Sequence, residues 1–132
     1  MHITYQFERT PETEAIIALY ENAGLNRPTG DKTRIHKMYE NSNLIISAWD
    51  GDLLVGIARS LSDFCHCCYL SDLAVRADYQ QKGIGKKLIE LTKEKIGDES
   101  MLLLLAAPAA LTYYPKVGLE KVQNGFIIHR KL

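Results

Sequence analysis

The stretch LAVRADYQQKGIG, residues 73–85, carries the most informative pattern in the chain. Its branched apolar residues predict the end of a β-strand, and the apolar spacing after its polar turn predicts an amphipathic helix. The first amide groups of a helix have no intrahelical acceptor, and the helix dipole adds partial positive charge there. Glycine lets the backbone approach an anion closely because it has no Cβ. The stretch therefore predicts a local site for a pyrophosphate group.

The glycine spacing separates this turn from two common nucleotide-binding motifs. A dinucleotide-binding fold has G-x-G-x-x-G near its first strand, and a P-loop has G-x-x-x-x-G-K-[ST]. Gly83 and Gly85 fit neither spacing, and the turn follows a meander of three predicted strands. Taken by itself, the turn is also compatible with an ordinary strand-to-helix corner that binds nothing.

The composition predicts one globular domain, residues 1–132, because this length can bury a core and 46% of the residues are hydrophobic. Sixteen basic and sixteen acidic side chains cancel, so we expect neither a nucleic-acid nor a membrane partner. Three cysteines are an odd number, and the polar, alternating N-terminus does not resemble a signal peptide. We therefore expect a cytoplasmic protein.

The predicted order of elements is β-α-α-β-β-β-α-β-α-β-β, an α/β (α+β) domain with a mixed, mainly antiparallel sheet. Thr10 is the expected cap of the first helix, Gly24 its end and Asp31 the cap of the second helix. Asp50-Gly51 predicts a hairpin. The predicted strands cover residues 2–8, 44–49, 53–61, 65–75, 101–106, 119–122 and 126–130.

Two further helices complete the prediction. A long helix after the glycine turn ends at Gly97, and a short one covers residues 109–114. Residues 101–106 form a continuous apolar run, which is typical of a strand buried on both faces.

A second motif lies about thirty residues after the turn. Tyr114, Lys116, Gly118 and Leu119 fit the pattern Y-x-K-x-G-[FL], and Gln80, Gly83 and Gly85 fit Q-x-x-G-x-G. With the LAV strand end, these motifs resemble the Gcn5-related N-acetyltransferase (GNAT) superfamily. The order of elements agrees from end to end, so the resemblance covers essentially the whole chain.

The resemblance implies acetyl-CoA as the acyl donor. It also implies that backbone amides of the turn hold the pyrophosphate, and that the pantetheine arm pairs with the preceding strand. The thioester would lie where the sheet splays between that strand and residues 101–106. The implied cofactor-binding residues are Leu73, Ala74, Val75, Gln80, Gln81, Lys82, Gly83, Ile84, Gly85 and Lys86.

The same resemblance assigns roles to two adjacent tyrosines. Tyr114 stands where the family carries a tyrosine that protonates the departing thiolate, which a phenol can do as a general acid. The alternative is a packed aromatic residue with its hydroxyl in solvent. Tyr113 is expected to be a core residue. Ala107 departs from the family, which often has an asparagine at this position, so no binding role is carried to it.

Asp72 is the acid inside the strand that would meet the cofactor. An acid in an apolar strand costs free energy unless it is paired or hydrogen-bonded. We therefore consider Asp72 a catalytic candidate, as the general base or in substrate binding. The alternative is a structural contact with a loop or with an arginine such as Arg59.

The cluster Cys65-His66-Cys67-Cys68 does not predict a zinc site. Alternate residues of a strand face opposite sides, so at most two of these side chains share a face. A structural zinc ion normally takes four ligands, and no second pair is evident. We expect ordinary buried thiols and no metal.

The predicted function is transfer of an acetyl group from acetyl-CoA to a primary amine of a small molecule or peptide. The alternatives are a non-catalytic acyl-CoA-binding sensor on the same fold, or transfer of another acyl group. The first two helices would cover the acceptor. Arg27, Arg34 and His36 lie there, and solvated charge is their simplest explanation. Residues 119–132 could supply the edge for a homodimer.

Overall fold

The structure is a computed structural model, described over residues 2–132, and a sheet of five strands forms its centre. The strands in that range are β1 (Ile3–Gln6), β2 (Leu44–Asp50), β3 (Leu53–Ser62), β4 (Cys67–Val75) and β5 (Met101–Leu103). The helices are α1 (Thr13–Ala23), α2 (Lys32–Glu40), α3 (Ile84–Ile96) and α4 (Tyr113–Lys116), with short 3₁₀ turns at Ala77–Tyr79 and Pro108–Ala110. The predicted α/β fold with a mixed, mainly antiparallel sheet is confirmed.

The strands lie in chain order, and the first four form an antiparallel meander. β5 runs parallel to β4, because α3 carries the chain back across the sheet before β5 begins. The two strands pair at only three positions, of which the last joins Tyr69 to Leu103. Within the described residues, positions 70–75 of β4 have no strand partner on this side. The sheet is therefore splayed between β4 and β5.

Helices cover both faces of the central strands. Neighbouring residues of β2 point to opposite faces, so Ile45 packs with α1 and α2 while Ile46 packs with α3. α1 and α2 contribute a cluster that includes Leu19 and Ile35. α3 contributes the opposite cluster, which includes Leu88. The central strands are consequently buried on both faces.

Local capping signals are largely confirmed. Gly24 ends α1 in the left-handed conformation, and the Asp31 side chain accepts a hydrogen bond from the Arg34 amide at the start of α2. The prediction that Thr10 caps α1 is wrong, because the helix begins at Thr13. Glu12 has an extended backbone before it, with φ −59° and ψ 143°.

The C-terminal part of the prediction is wrong in two respects. The strand expected over 101–106 is reduced to β5, and Met101 and Leu105 are 58% and 63% exposed instead of buried. Residues 119–122 and 126–130 form no strand, and Phe126 and Ile128 are 100% and 99% exposed. Both errors have one cause. Residues 119–130 do not pair with β5, so they form no strand and the outer edge of β5 stays open. The residues after Leu103 consequently have no strand to cover them.

The short helix after β5 is displaced from its predicted range of residues 109–114. A 3₁₀ turn forms at Pro108–Ala110, and α4 covers Tyr113–Lys116. Among the helices of the described range, none combines the length and the apolar character needed to cross a membrane.

Candidate active site

The turn before α3 has the open backbone that the sequence predicts. Gln81 and Gly83 both have positive φ, 63° and 84°. Gly83 is the N-cap residue of α3, and no side chain caps this end of the helix. A Cβ at Gly83 would meet no atom within 4 Å. The first amides of α3 therefore face open space with no side-chain acceptor, which is the arrangement that binds an anion.

The side chain of Gln80 fixes the turn to the end of β4. Its amide nitrogen donates a hydrogen bond of 3.0 Å to the carbonyl of Val75. On the other side of the turn, the hydroxyl of Tyr79 donates a 2.6 Å hydrogen bond to Asp50. These two contacts hold the turn against the strands that precede it. Gln80 therefore acts on the geometry of the turn through its side chain.

β4 presents different side chains to its two faces. Leu73 and Val75 are partly buried against the α3 side, whereas Asp72 and Ala74 lie on the side of α1 and α2. The splayed edge runs along residues 70–75 and ends at the turn. The backbone groups of Leu73, Ala74 and Val75 thus lie at the splay, beside the start of α3.

The two adjacent tyrosines differ in burial, and Tyr113 does not take the place expected for it. Tyr114 packs against the core cluster of α3, whereas Tyr113 is partly exposed. The Tyr113 hydroxyl would lie 2.8 Å from a Cβ on Gly85, and Val75 is also close to that Cβ position. The prediction that Tyr113 is a core residue is therefore wrong. Adjacent residues of a helix are about 100° apart, so the two tyrosines could not share one face.

Burial raises the pKa of Tyr114, and the neighbouring Tyr113 raises it further, while the charge of Arg27 lowers it. The net pKa is above the ordinary value. Tyr114 is consequently a neutral phenol at pH 7, which is the form that a general acid requires. Its catalytic role remains a prediction.

Asp72 lies fully buried at the centre of a polar network. Its carboxylate accepts hydrogen bonds from Arg59 at 2.9 Å and from Arg27 at 2.7 Å. The Tyr20 hydroxyl donates to it at 2.7 Å, and the Ser71 hydroxyl at 3.0 Å. Both carboxylate oxygens are therefore occupied.

The contacts of Asp72 determine its charge. Burial raises the pKa of Asp72, but the hydrogen bonds and charge of Arg59, with Tyr20 and Arg27, outweigh burial and hold the pKa below its ordinary value. An ionised, fully paired carboxylate has little tendency to accept a proton from an amine. The role of Asp72 as a base remains a prediction, and its contacts favour the alternative, an ion pair with Arg59.

Sequence reasoning missed the other members of this network. Arg27 lies in the loop between α1 and α2 and also donates to the carbonyl of Ser71. The hydroxyls of Tyr20 and Tyr39 form a short buried hydrogen bond, and burial raises the pKa of both phenols. Periodicity gives no signal for contacts between residues so far apart in sequence. The sequence carries one signal of this network, which is an acid among the apolar residues of β4. In the sheet, this acid is paired with Arg59 of β3.

The cysteine cluster lies at the end of the β3–β4 hairpin. The prediction of buried thiols holds for Cys68 but is wrong for Cys65 and Cys67, which are exposed because they lie at the tip of the hairpin. The carboxylate of Asp63 accepts hydrogen bonds from the backbone amides of residues 65, 66 and 67, which lower its pKa. In the range 2–132, no group of three or more His, Cys, Asp or Glu side chains has the arrangement of a metal site.

The structure thus combines an open edge of β4 with a start of α3 that no side chain caps. The family model described as an acetyltransferase (GNAT) domain matches residues 20–128. The chain therefore belongs to the GNAT family of acetyltransferases.

Similar proteins agree with this assignment. An uncharacterized ycf52-like N-acetyltransferase from Prochlorococcus marinus is 29% identical over 91 residues, covering 64% of this chain and 51% of the relative. The chain thus spans about half the length of that curated relative.

Two solved structures share the fold. A probable acetyltransferase from meticillin-resistant Staphylococcus aureus has a TM-score of 0.83 at 24% identity, covering 98% of this chain and 100% of that chain. An aminoglycoside N-acetyltransferase in complex with CoA has a TM-score of 0.74 at 13% identity, covering 99% and 96%.

Proposed function

We propose that this protein is an N-acetyltransferase that moves an acetyl group from acetyl-CoA to a primary amine by direct attack in a ternary complex. The observation that carries the proposal is the unpaired β4 edge at residues 70–75, which leads to the uncapped start of α3 at Gly83. A strand edge can pair with the amides of pantetheine, and helix amides can hold pyrophosphate. The structural neighbour in complex with CoA supports the same donor.

The proposed cofactor-binding residues act mainly through their backbones. The edge formed by Leu73, Ala74 and Val75 pairs with the pantetheine arm. The amides of Gln81, Lys82, Gly83, Ile84, Gly85 and Lys86 surround the pyrophosphate, with Gln80 orienting the turn. The ammonium groups of Lys82 and Lys86 supply countercharge.

In the proposed reaction, the neutral amine attacks the thioester carbonyl and forms a tetrahedral intermediate. An alkylammonium ion has a pKa of about 10, so its proton is lost to water before attack. A backbone amide near Leu73 stabilises the oxyanion. The intermediate collapses with cleavage of the carbon–sulfur bond, and Tyr114 donates a proton to the departing thiolate. The nitrogen loses its extra proton to water, and the Tyr114 phenolate takes up a proton from water, which completes the transfer.

Asp72 enters this proposal as a positioning residue. It holds Arg27 and Arg59 by ion pairs at β4, and the three groups together carry a net charge of one positive unit. Arg27 belongs to the loop between α1 and α2, which we propose borders the acceptor. The acceptor class is a small-molecule or peptide amine.

The first experiment is calorimetric titration of acetyl-CoA, followed by a thiol-release assay against a panel of amines. We expect binding and turnover with at least one amine. Absence of binding at millimolar acetyl-CoA would remove the proposal. Binding without turnover on any amine would instead favour the acyl-CoA sensor.

The second experiment tests Tyr114 with the variant Tyr114→Phe. Loss of a general acid should lower kcat by about 100-fold or more while the Kd of acetyl-CoA changes little. Tyr5→Phe is the matched control, because Tyr5 lies in β1 at the opposite edge of the sheet. Equal kcat for Tyr114→Phe and the wild type would exclude the phenol as the acid.

A further inference from the structure

An exposed row of apolar side chains crosses three strands beside the splay. Leu61 of β3, Tyr69 of β4 and Leu103 of β5 are paired in register and are 42%, 39% and 38% exposed. We call them the apolar row. Cys68 and Leu70, the neighbours of Tyr69, pack in the α3 cluster, so Tyr69 and its partners face the side of α1 and α2. The apolar row therefore forms an open wall on that side, at the point where the sheet splays.

A guanidinium group lies next to the apolar row on the same side of the sheet. Ser71 follows closely after Tyr69 in β4 and has no partner in the register with β3, so the strand bulges there. Arg27 donates hydrogen bonds of 2.7 Å to the Ser71 carbonyl and to the Asp72 carboxylate. Arg27 is thus fixed at the bulge.

Arg27 also carries the positive charge that its network leaves uncompensated. Arg59 binds both oxygens of Asp72, at 2.9 and 3.2 Å, and is buried, whereas the Arg27 side chain is 24% exposed. A guanidinium has five N–H groups. In the part of the chain that the structure describes, Arg27 makes three hydrogen bonds, to Asp72, Ser71 and Asn26. Two N–H groups and one net positive charge are therefore available to an anion.

The position of Arg27 along β4 limits the length of a ligand that uses both ends of the site. Ser71 lies about 7 Å along the strand from Leu73, near the amide that stabilises the oxyanion in the proposed reaction. Burial and Tyr113 raise the pKa of Tyr114, and the charge of Arg27 acts against them, so this charge reaches the proposed acid. An anionic group on Arg27 and an amine at the thioester are consequently separated by only a few bonds.

We propose that the acceptor is a small primary amine that joins a carboxylate to an apolar group, as an apolar amino acid does. The carboxylate binds Arg27, and the apolar group packs on the apolar row. This inference rests on the proposed function and names the acceptor of the same site. The charge of Arg27 also disfavours an acceptor with several ammonium groups, because like charges would then lie side by side.

The first test is calorimetric titration of leucine, phenylalanine and 6-aminohexanoate into the protein with CoA, each compared with its amide. At least one acid should bind about 10- to 100-fold more tightly than its amide, because a hydrogen bond to a charged group is lost in the amide. Absence of binding by all three acids, or equal binding of every acid and its amide, would overturn the proposal. This comparison uses the wild type, so it does not depend on the folding of a variant.

The variant Arg27→Gln assigns the difference to one residue. It should remove the difference between acid and amide, and Arg27→Lys, which keeps the charge, should retain part of it. Arg34→Gln is the matched control, because Arg34 is an exposed arginine of α2, and it should keep the full difference. A difference that survives in Arg27→Gln, with the variant folded by circular dichroism, would contradict the assignment.

The apolar row is tested by Leu61→Ser, with phenylalanine and alanine as ligands. The variant should lower the preference for phenylalanine by about threefold to tenfold, because the ring loses apolar contact area. Leu53→Ser is the matched control, since Leu53 lies at the other end of β3 and is equally exposed, at 42%. An unchanged preference in Leu61→Ser would exclude the apolar row as the contact.

A thiol-release assay with acetyl-CoA separates this proposal from the proposed function. Turnover of other amines without binding of the three acids would overturn the proposed acceptor and leave the acetyltransferase standing. Binding of an acid to the Arg27 site without thiol release on any amine would remove the proposed function and leave the binding site. Thiol release with an acid that loses its advantage over the amide in Arg27→Gln would support both.

Discussion

The chain up to the end of α3 and the chain after it differ in how completely their strands are partnered. β2 and β3 have a strand on each side and helices on both faces, and nearly all their residues are buried or partly buried. β5 pairs at three positions, and in the described residues the segment 119–132 pairs with no strand. The apolar patterns of the two regions are similar in sequence. An apolar pattern therefore forms a strand only where the chain brings it alongside a neighbouring edge.

The largest expected effect in the well-partnered region is at Asp72. Asp72→Asn removes the charge that compensates Arg27 and Arg59, and breaking a buried ion pair by removing one partner costs about 3–5 kcal/mol. We expect the free energy of unfolding, measured with urea, to fall by this amount.

Asp52→Asn supplies the matched control, because Asp52 is exposed in the β2–β3 turn. Its effect should stay within about 0.5 kcal/mol. If Asp72→Asn keeps full stability and loses only turnover, Asp72 serves as a base and not as a structural ion pair. The stability of the well-partnered region would then not depend on these ion pairs.

Acidification should weaken the same region. The folded-state pKa of Asp72 is lowered because its arginine and tyrosine partners outweigh burial. The carboxylate therefore stabilises the fold above its unfolded-state pKa of about 3.9, and this contribution is lost as pH falls through the lower folded-state pKa. We expect the free energy of unfolding to decrease below about pH 4, with a shallower slope in Asp72→Asn. Identical slopes in the two proteins would contradict this account.

The same contrast explains how much could be predicted from the sequence. The turn at Gly83, the Asp31 cap and the hairpin at Asp50-Gly51 depend on neighbours in the chain, and each was predicted. The Asp72 network joins a helix, a loop and two strands up to 52 residues apart, so only the arginine opposite it in the sheet could be anticipated. The prediction of a strand at 126–130 was wrong because pairing requires the chain after α4 to carry this segment alongside β5, which local sequence does not encode.

A smaller change in the free energy of unfolding is expected at the turn before α3, where Gly83 and Gly85 differ in backbone conformation. Gly83→Ala should lower the free energy of unfolding by about 1 kcal/mol, because φ of 84° disfavours a Cβ although the space is open. Gly85→Ala has no such φ, and the one contact of its Cβ below 3 Å would be with the hydroxyl of Tyr113. Since that hydroxyl ends a partly exposed side chain, it can move, and the stability of Gly85→Ala should change less.

The double variant Gly85→Ala/Tyr113→Phe checks this explanation. It removes the atom that the new methyl group would meet, so it should be at least as stable as Gly85→Ala in urea denaturation. A double variant that is less stable than both single variants would show that the Tyr113 hydroxyl supports the turn by a different contact. The stability of the turn would then depend on a contact with Tyr113, which lies in the chain after α3.

The smallest effect is expected for Phe126→Ala, measured at concentrations where the chain sediments as a monomer. A buried phenylalanine loses about 3–5 kcal/mol on truncation to alanine, but Phe126 is fully exposed, so the loss should stay below about 0.5 kcal/mol. Leu70→Ala in β4 is the reference from the well-partnered region and should cost about 2–5 kcal/mol. If Phe126→Ala is as costly as Leu70→Ala in the monomer, the segment packs on its own chain. The two regions would then be equally partnered, and the free edge of β5 would not exist in solution.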